Sequence, residues 1–139
     1  MKRTFFPIIY KNKTIAVVIR SNHHVDNLQF FTKDEDPLQV GIHSKKAHML
    51  VKPHVHKSNP QVIKETYEVF YVVKGALKLT MYSKETGRKI KSVILRQGDS
   101  AIHMGEGHGV EFIEDTVLFE VKQGPFLGVQ TSKIYIGPK

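Results

Sequence analysis

Apolar residues along this chain come in short runs with polar residues interleaved or close behind. No window of about a dozen residues keeps an apolar stripe at helical spacing without Gly, Pro or a β-branched run breaking it. The pattern therefore predicts strands: Phe6 to Tyr10, Thr14 to Arg20, Leu28 to Phe31, Leu38 to Ile42, Ala47 to His56, Glu68 to Val73, Leu77 to Tyr82, Ile90 to Leu95, Ser100 to His103, His108 to Ile113, Val117 to Lys122 and Ile134 to Ile136. Val, Ile, Phe and Tyr dominate these segments. Turn chemistry separates them, as at Lys74-Gly75, Glu85-Thr86-Gly87, Gln97-Gly98-Asp99 and Glu114-Asp115. Lys11-Asn12-Lys13 reads as a hairpin link. Thr32 to Pro37 reads as a turn, because Pro37 would halt a helix begun at Thr32. The almost wholly apolar run after Glu68 predicts a strand buried on both faces. Short strands at this spacing predict an all-β sandwich or barrel.

Composition narrows the picture. At 139 residues the chain suits one domain, and 40% hydrophobic with 24% charged residues is a globular balance. The longest apolar runs, Ile15 to Ile19 and Val69 to Val73, are too short to span a bilayer as a helix, so no membrane partner is expected. The absence of cysteine removes disulfides, thiolate metal sites and cysteine nucleophiles. Lys11-Asn12-Lys13 interrupts the place where a secretory signal would need its apolar core, and a cytoplasmic protein is the expectation.

A net charge of +8 favours anionic partners, and its distribution is segmental. Seven basic residues and one acid lie between Lys74 and Arg96, whereas six acids and no Lys or Arg lie between Asp99 and Glu120. The basic block lacks interleaved aromatic stacking residues, so it reads as a solvated hairpin and no nucleic acid partner is expected.

Eight histidines supply the candidate chemistry. On a strand, His54 and His56 would share one face, because side chains two apart point the same way. Such a pair in isolation is more often a set of half-exposed polar residues than a metal site. Glu68 opens an apolar strand where a carboxylate needs a partner, and His108 stands between Gly107 and Gly109 at the start of another. Three imidazoles and one carboxylate suit a divalent transition metal such as Fe, Mn, Ni or Zn, with Cu(II) also within their range.

The order of these residues resembles the two signature motifs of the cupin superfamily. The first, His-x-His, then Glu, six residues and Gly, is filled by His54, His56, Glu68 and Gly75. The second, Gly, a strand, a turn and His, is filled by Gly98, Asp99 and His108. The likeness runs from about Ala47 to Gly124. It extends to a subgroup of small single-domain bacterial cupins through Glu68 to Gly75, Gly107 to Phe112 and Glu120 to Pro125. The resemblance implies a double-stranded β-helix, the jelly-roll or cupin barrel, with N-terminal strands and loops over 1–46 and the barrel core over 47–124. It also implies one divalent metal held by His54, His56, Glu68 and His108. The chain departs from the family pattern in the eleven residues between His56 and Glu68, in lacking a proline before His108, in a shorter span from Gly98 to His108, and in lacking the trailing Asn near Phe112.

Around that site, Lys52 has the strand parity of His54, while Glu65 and Tyr67 in the long loop have the chemistry of an acid or base, and these three are the candidate catalytic residues. His48 and His103 are candidates for supporting a ligand from behind; His23, His24 and His43 read as surface residues. The function expected is a metal-dependent cupin enzyme acting on a small anionic or carbohydrate-related molecule, by isomerase, epimerase or dioxygenase chemistry. The alternative is a non-catalytic module binding a carbohydrate or organic acid. A homodimer is also expected, with Thr14 to Arg20 and Ile134 to Ile136 as candidate edge strands.

Overall fold

A computed structural model describes residues 2–136, and they divide into two compact units. Unit 1 comprises residues 1–23 and 65–139, of which 2–23 and 65–136 are described, and unit 2 comprises His24–Lys64.

In unit 1, β1 (Phe5–Tyr10) and β2 (Lys13–Ile19) form a hairpin. They are followed by β5 (Tyr67–Lys74), β6 (Ala76–Tyr82), β7 (Lys89–Arg96), β8 (Ser100–Met104), β9 (Gly107–Phe112) and β10 (Val117–Lys122), then a single helical turn, α1 (Val129–Ser132). Unit 2 carries only the short antiparallel pair β3 (Leu28–Phe30) and β4 (Gly41–His43). The turn expected at Thr32 to Pro37 lies between β3 and β4, where Asp36 accepts a hydrogen bond from the Lys33 amide at 2.7 Å.

Unit 1 has two antiparallel sheets, ordered β1-β2-β8-β5-β10 and β7-β6-β9. Their inner faces share one apolar core, with Ile8, Ala16, Val18, Phe70, Val72 and Ala101 from the first and Leu77, Leu79, Met81, Val93 and Leu95 from the second. The described residues form no closed barrel.

Between β5 and β10 the chain changes sheet at every link except the β6–β7 hairpin, and the corners are tight. At Gly75 φ is +84°, and a Cβ there would come within 2.4 Å of the Asp115 carbonyl oxygen, so only glycine fits that corner. The corner between β7 and β8 is held by Asp99, whose carboxylate accepts from the Arg20 guanidinium at 2.8 Å, the Ser21 amide at 2.9 Å and the Arg96 amide at 3.0 Å.

Several expectations are corrected. The run after Glu68 buries one face only: Glu68, Phe70 and Val72 point inward, whereas Tyr71 and Val73 are exposed. The strands buried on both faces are β2 and β8 in the first sheet and, over most of its length, β6 in the second. Thr14 to Arg20 is therefore no edge, since β2 lies between β1 and β8. Ala47 to His56 and Ile134 to Ile136 form no strand. Pro53 and the absence of strict alternation remove the ladder that the first of these would need.

Core packing sets the first prediction. Leu79 is fully buried at the centre of β6, whereas Ile94 is exposed on the outer face of the same sheet. Leu79→Ala is expected to cost about 2–5 kcal/mol in urea unfolding, and Ile94→Ala less than about 1 kcal/mol.

Candidate metal centre

Strand register sets three polar residues of unit 1's first sheet in one row. Glu68, the second residue of β5, lies opposite His103 of β8 on one side and Lys122 of β10 on the other, so all three belong to one row on the sheet's inner face. His108 approaches from the facing sheet. It pairs with Met81 of β6, a core residue, and so shares the inward parity of that strand. The link between β8 and β9 is only Gly105 and Glu106, with φ of +80° at Gly105. That short corner swings the chain from one sheet to the other, and His103 and His108 on its two sides converge between them.

The resulting group is compact. Ligand atoms of Glu68, His103 and His108 lie within 4.8 Å of one another. His108 Nε2 is 2.7 Å from Glu68 Oε2, the two imidazole centroids are 4.3 Å apart, and the His108 ring lies 5.8 Å from that of Phe70. Glu68 and His103 are buried, while the His108 side chain keeps 29% of its surface open and gives the group its access to solvent. Lys122 Nζ stands 3.9 Å from Glu68 Oε1 and 3.3 Å from Glu120.

The electrostatics follow from burial and from these neighbours. Burial pushes the Glu68 carboxyl upward, but the close approach and charge of His108, with smaller help from His103 and Lys122, outweigh it and hold Glu68 below the ordinary carboxylate value. His103 is lowered to about 4, chiefly by burial and then by the charge of His108, against weaker opposing effects of Glu68 and the Gly107 backbone. At neutral pH His103 is a neutral imidazole with a free lone pair, the form that binds a metal.

The two buried carboxylates of the unit differ in a telling way. Asp99 has an aligned donor on each oxygen. Glu68 Oε2 has His108 beside it but off the line a hydrogen bond requires, and neither ring nitrogen of His103 has an aligned partner among the described residues. Buried polar atoms seldom stand so. Two imidazoles and one carboxylate are the donor set of open zinc sites and of non-haem iron sites. Two oxygen or nitrogen ligands at right angles around such an ion would be ~3.0 Å apart at ordinary bond lengths, close to the His108–Glu68 separation. The group could hold a metal ion.

Of the residues expected from the sequence, Glu68 and His108 are brought together, and His103 joins them as a direct member. His54 and His56 lie in unit 2, in an exposed segment without strands. Their rings are 5.2 Å apart, and His54 Nδ1 donates to the Lys52 carbonyl at 2.8 Å, which leaves Nε2 as the free nitrogen. Lys52 is exposed in the same segment. Glu65 forms an ion pair with Lys84 at 2.6 Å, and Tyr67 opens β5 with the parity opposite to Glu68, paired with Met104. The long connection after His56 is exposed and irregular from Lys57 to Lys64. The signal for His103 was its parity with Ala101 in β8, which puts it on the core face, together with the glycine corner that follows. No protein-family model, curated protein or solved structure matches this chain.

Acid should weaken the metal-free protein. Unfolded His103 takes up its proton near its ordinary value of 6.5 and the folded residue only near 4. Between those values the unfolded chain binds more protons, and stability falls as pH falls, by up to roughly 3 kcal/mol. Urea unfolding in chelator at pH 7 and pH 4.5 measures the loss, and His103→Leu is expected to flatten it.

Proposed function

We propose that this chain is a divalent-metal-binding protein of the cupin kind, with Glu68, His103 and His108 of unit 1 as protein ligands to one ion. Its two facing antiparallel sheets would then correspond to a double-stranded β-helix. The observation that carries this reading is the convergence of buried donor atoms without aligned partners, Glu68 Oε2 and both nitrogens of His103, beside a half-open His108. The sequence resemblance supports it at Glu68, Gly75, Gly98 and His108.

A small molecule is the natural partner of such a site, because only the His108 side opens to solvent. Lys122 beside Glu68 and the chain's net charge of +8 favour an anionic ligand, such as an organic acid or a phosphorylated or acidic sugar. A bound divalent ion would supply Lewis acidity toward a ligand oxygen. The protein's own part is to hold the donors in register, keep His103 neutral and present a cation at Lys122. Turnover would make the protein an enzyme of isomerase, epimerase or dioxygenase type, and ligand capture without turnover would make it a binding module.

Metal titration by calorimetry with Zn(II), Mn(II), Ni(II) and anaerobic Fe(II), together with elemental analysis of the purified protein, tests the reading. One equivalent is expected in the wild type. His103→Ala should weaken binding on the order of 100-fold, with a smaller loss for Glu68→Gln, which keeps one oxygen donor. Absence of stoichiometric binding in the folded wild type would overturn the proposal. Retention of full affinity by His103→Ala would remove His103 from the ligand set. The same titration on His54→Ala/His56→Ala tests the ligand roles that the cupin resemblance implies for that pair.

A further inference from the structure

The four sheet edges of unit 1 are not equally protected. An edge strand presents unpaired amides and carbonyls, and proteins blunt such edges with Pro, Lys or irregularity. The β1 edge carries Pro7, and the β7 edge carries Lys89, Lys91 and Arg96. The β9 edge carries Gly107 and Gly109, and its Glu111 is engaged by Lys78. The β10 edge, Val117-Leu118-Phe119-Glu120-Val121-Lys122, has no proline, no glycine and no run of lysines. Outside its pairing with β5, its backbone makes no hydrogen bond among the described residues.

Its outward side is apolar as well. Val117, Phe119 and Val121 are 53%, 60% and 40% exposed, and the register sets Phe119 beside Tyr71, itself 43% exposed on β5. Phe119, Val121 and Tyr71 thus make one continuous exposed face next to an unprotected edge.

We infer that β10 is a self-pairing edge, and that two copies of this chain join antiparallel along it, extending the five-stranded sheet across a twofold axis. The charges on the strand select the register. Residues facing each other across an antiparallel pair lie on the same side of the sheet, so the twofold axis passes through a residue. Centred on Glu120, it sets two carboxylates opposite each other. Centred on Phe119, it sets Leu118 against the partner's Glu120. Centred on Val121, it sets Glu120 against the partner's Lys122 and Lys122 against the partner's Glu120, and brings the two Val121 side chains together with Phe119 diagonal to the partner's Val121. Only this last register joins opposite charges on one side and apolar groups on the other. Pairing of this kind closes at two copies, because it uses the same edge of both.

This inference does not rest on the metal reading. Light scattering on the eluting full chain, over a range of concentrations, should give twice the 15.9 kDa chain mass. Val121→Lys, which sets two ammonium groups face to face on the side away from Glu68, should run at the single-chain mass with an unchanged circular dichroism spectrum. Glu120→Lys and Lys122→Glu should each weaken self-association at least tenfold, and an equimolar mixture of the two should restore it, since each then meets its opposite charge. A wild type that stays at the single-chain mass, or a Val121→Lys variant that stays at twice that mass, would overturn the inference. Failure of the two folded charge variants to complement each other would overturn the register. Metal content of the same preparations is a separate measurement, so failure of either idea leaves the other standing or falling on its own data.

Discussion

A carboxylate and an imidazole sealed between two apolar sheets set the terms for the rest of unit 1. Taking Glu68 out of water costs several kcal/mol unless nearby groups favour its charge, and burying His103 makes its protonated form the costly one. The fold reconciles these demands by putting a neutral ring and a carboxylate side by side in register and bringing His108 from the facing sheet. The core from Phe70 to Leu95 is ordinary hydrocarbon packing, and it holds the two faces at the separation that lets the three side chains meet. A shift of either sheet by one residue would turn its members of the group to the opposite face.

Corners transmit that requirement along the chain. From β5 to β10 the chain crosses between the two sheets at every link but one, so the inward residues there depend on how sharply the preceding link turns. Gly75 fits where a side chain would strike Asp115, and Asp99 ties the next corner to β2 and β7 through aligned donors. Asp99 is a carboxylate with an aligned donor on each oxygen, whereas Oε2 of the likewise buried Glu68 has none among the described residues.

Much of the architecture was legible in the sequence, because antiparallel strands with one wet face write their alternation into the chain. The segments that became β1, β2 and β5 to β10 were all identified, with ends within about two residues. The errors have a common cause: an apolar run does not say which of its faces is covered. Val69 to Val73 read as doubly buried, yet its outer residues are open beside β10, whereas β2 and β8 of the same sheet are buried on both faces. Ala47 to His56 was read as a strand, but no alternation of polar and apolar faces develops beyond Pro53. At the site, the pairing of Glu68 with His108 was legible from motif spacing. The place of His103 beside them was not, because it depends on cross-strand register, which a single strand's sequence leaves open.

Lys122 ties the interior group to the sheet's edge. It lies in the same row as Glu68 and His103, one strand nearer the margin, and its ammonium is closer to Glu120 on its own strand than to Glu68. Its contribution to Glu68 is therefore a field at moderate distance rather than a bond, and it ranks below those of His108 and His103 among the influences that keep the carboxyl ionised. A cation held this way balances a buried anion without occupying its lone pairs. Oε2 stays beside the two imidazoles, and the row ends in the positive charge of Lys122. One strand thus combines an inner side that conditions a polar site with an outer side and edge that are apolar and unprotected, and the period-two geometry of the strand lets both properties be written into six consecutive residues.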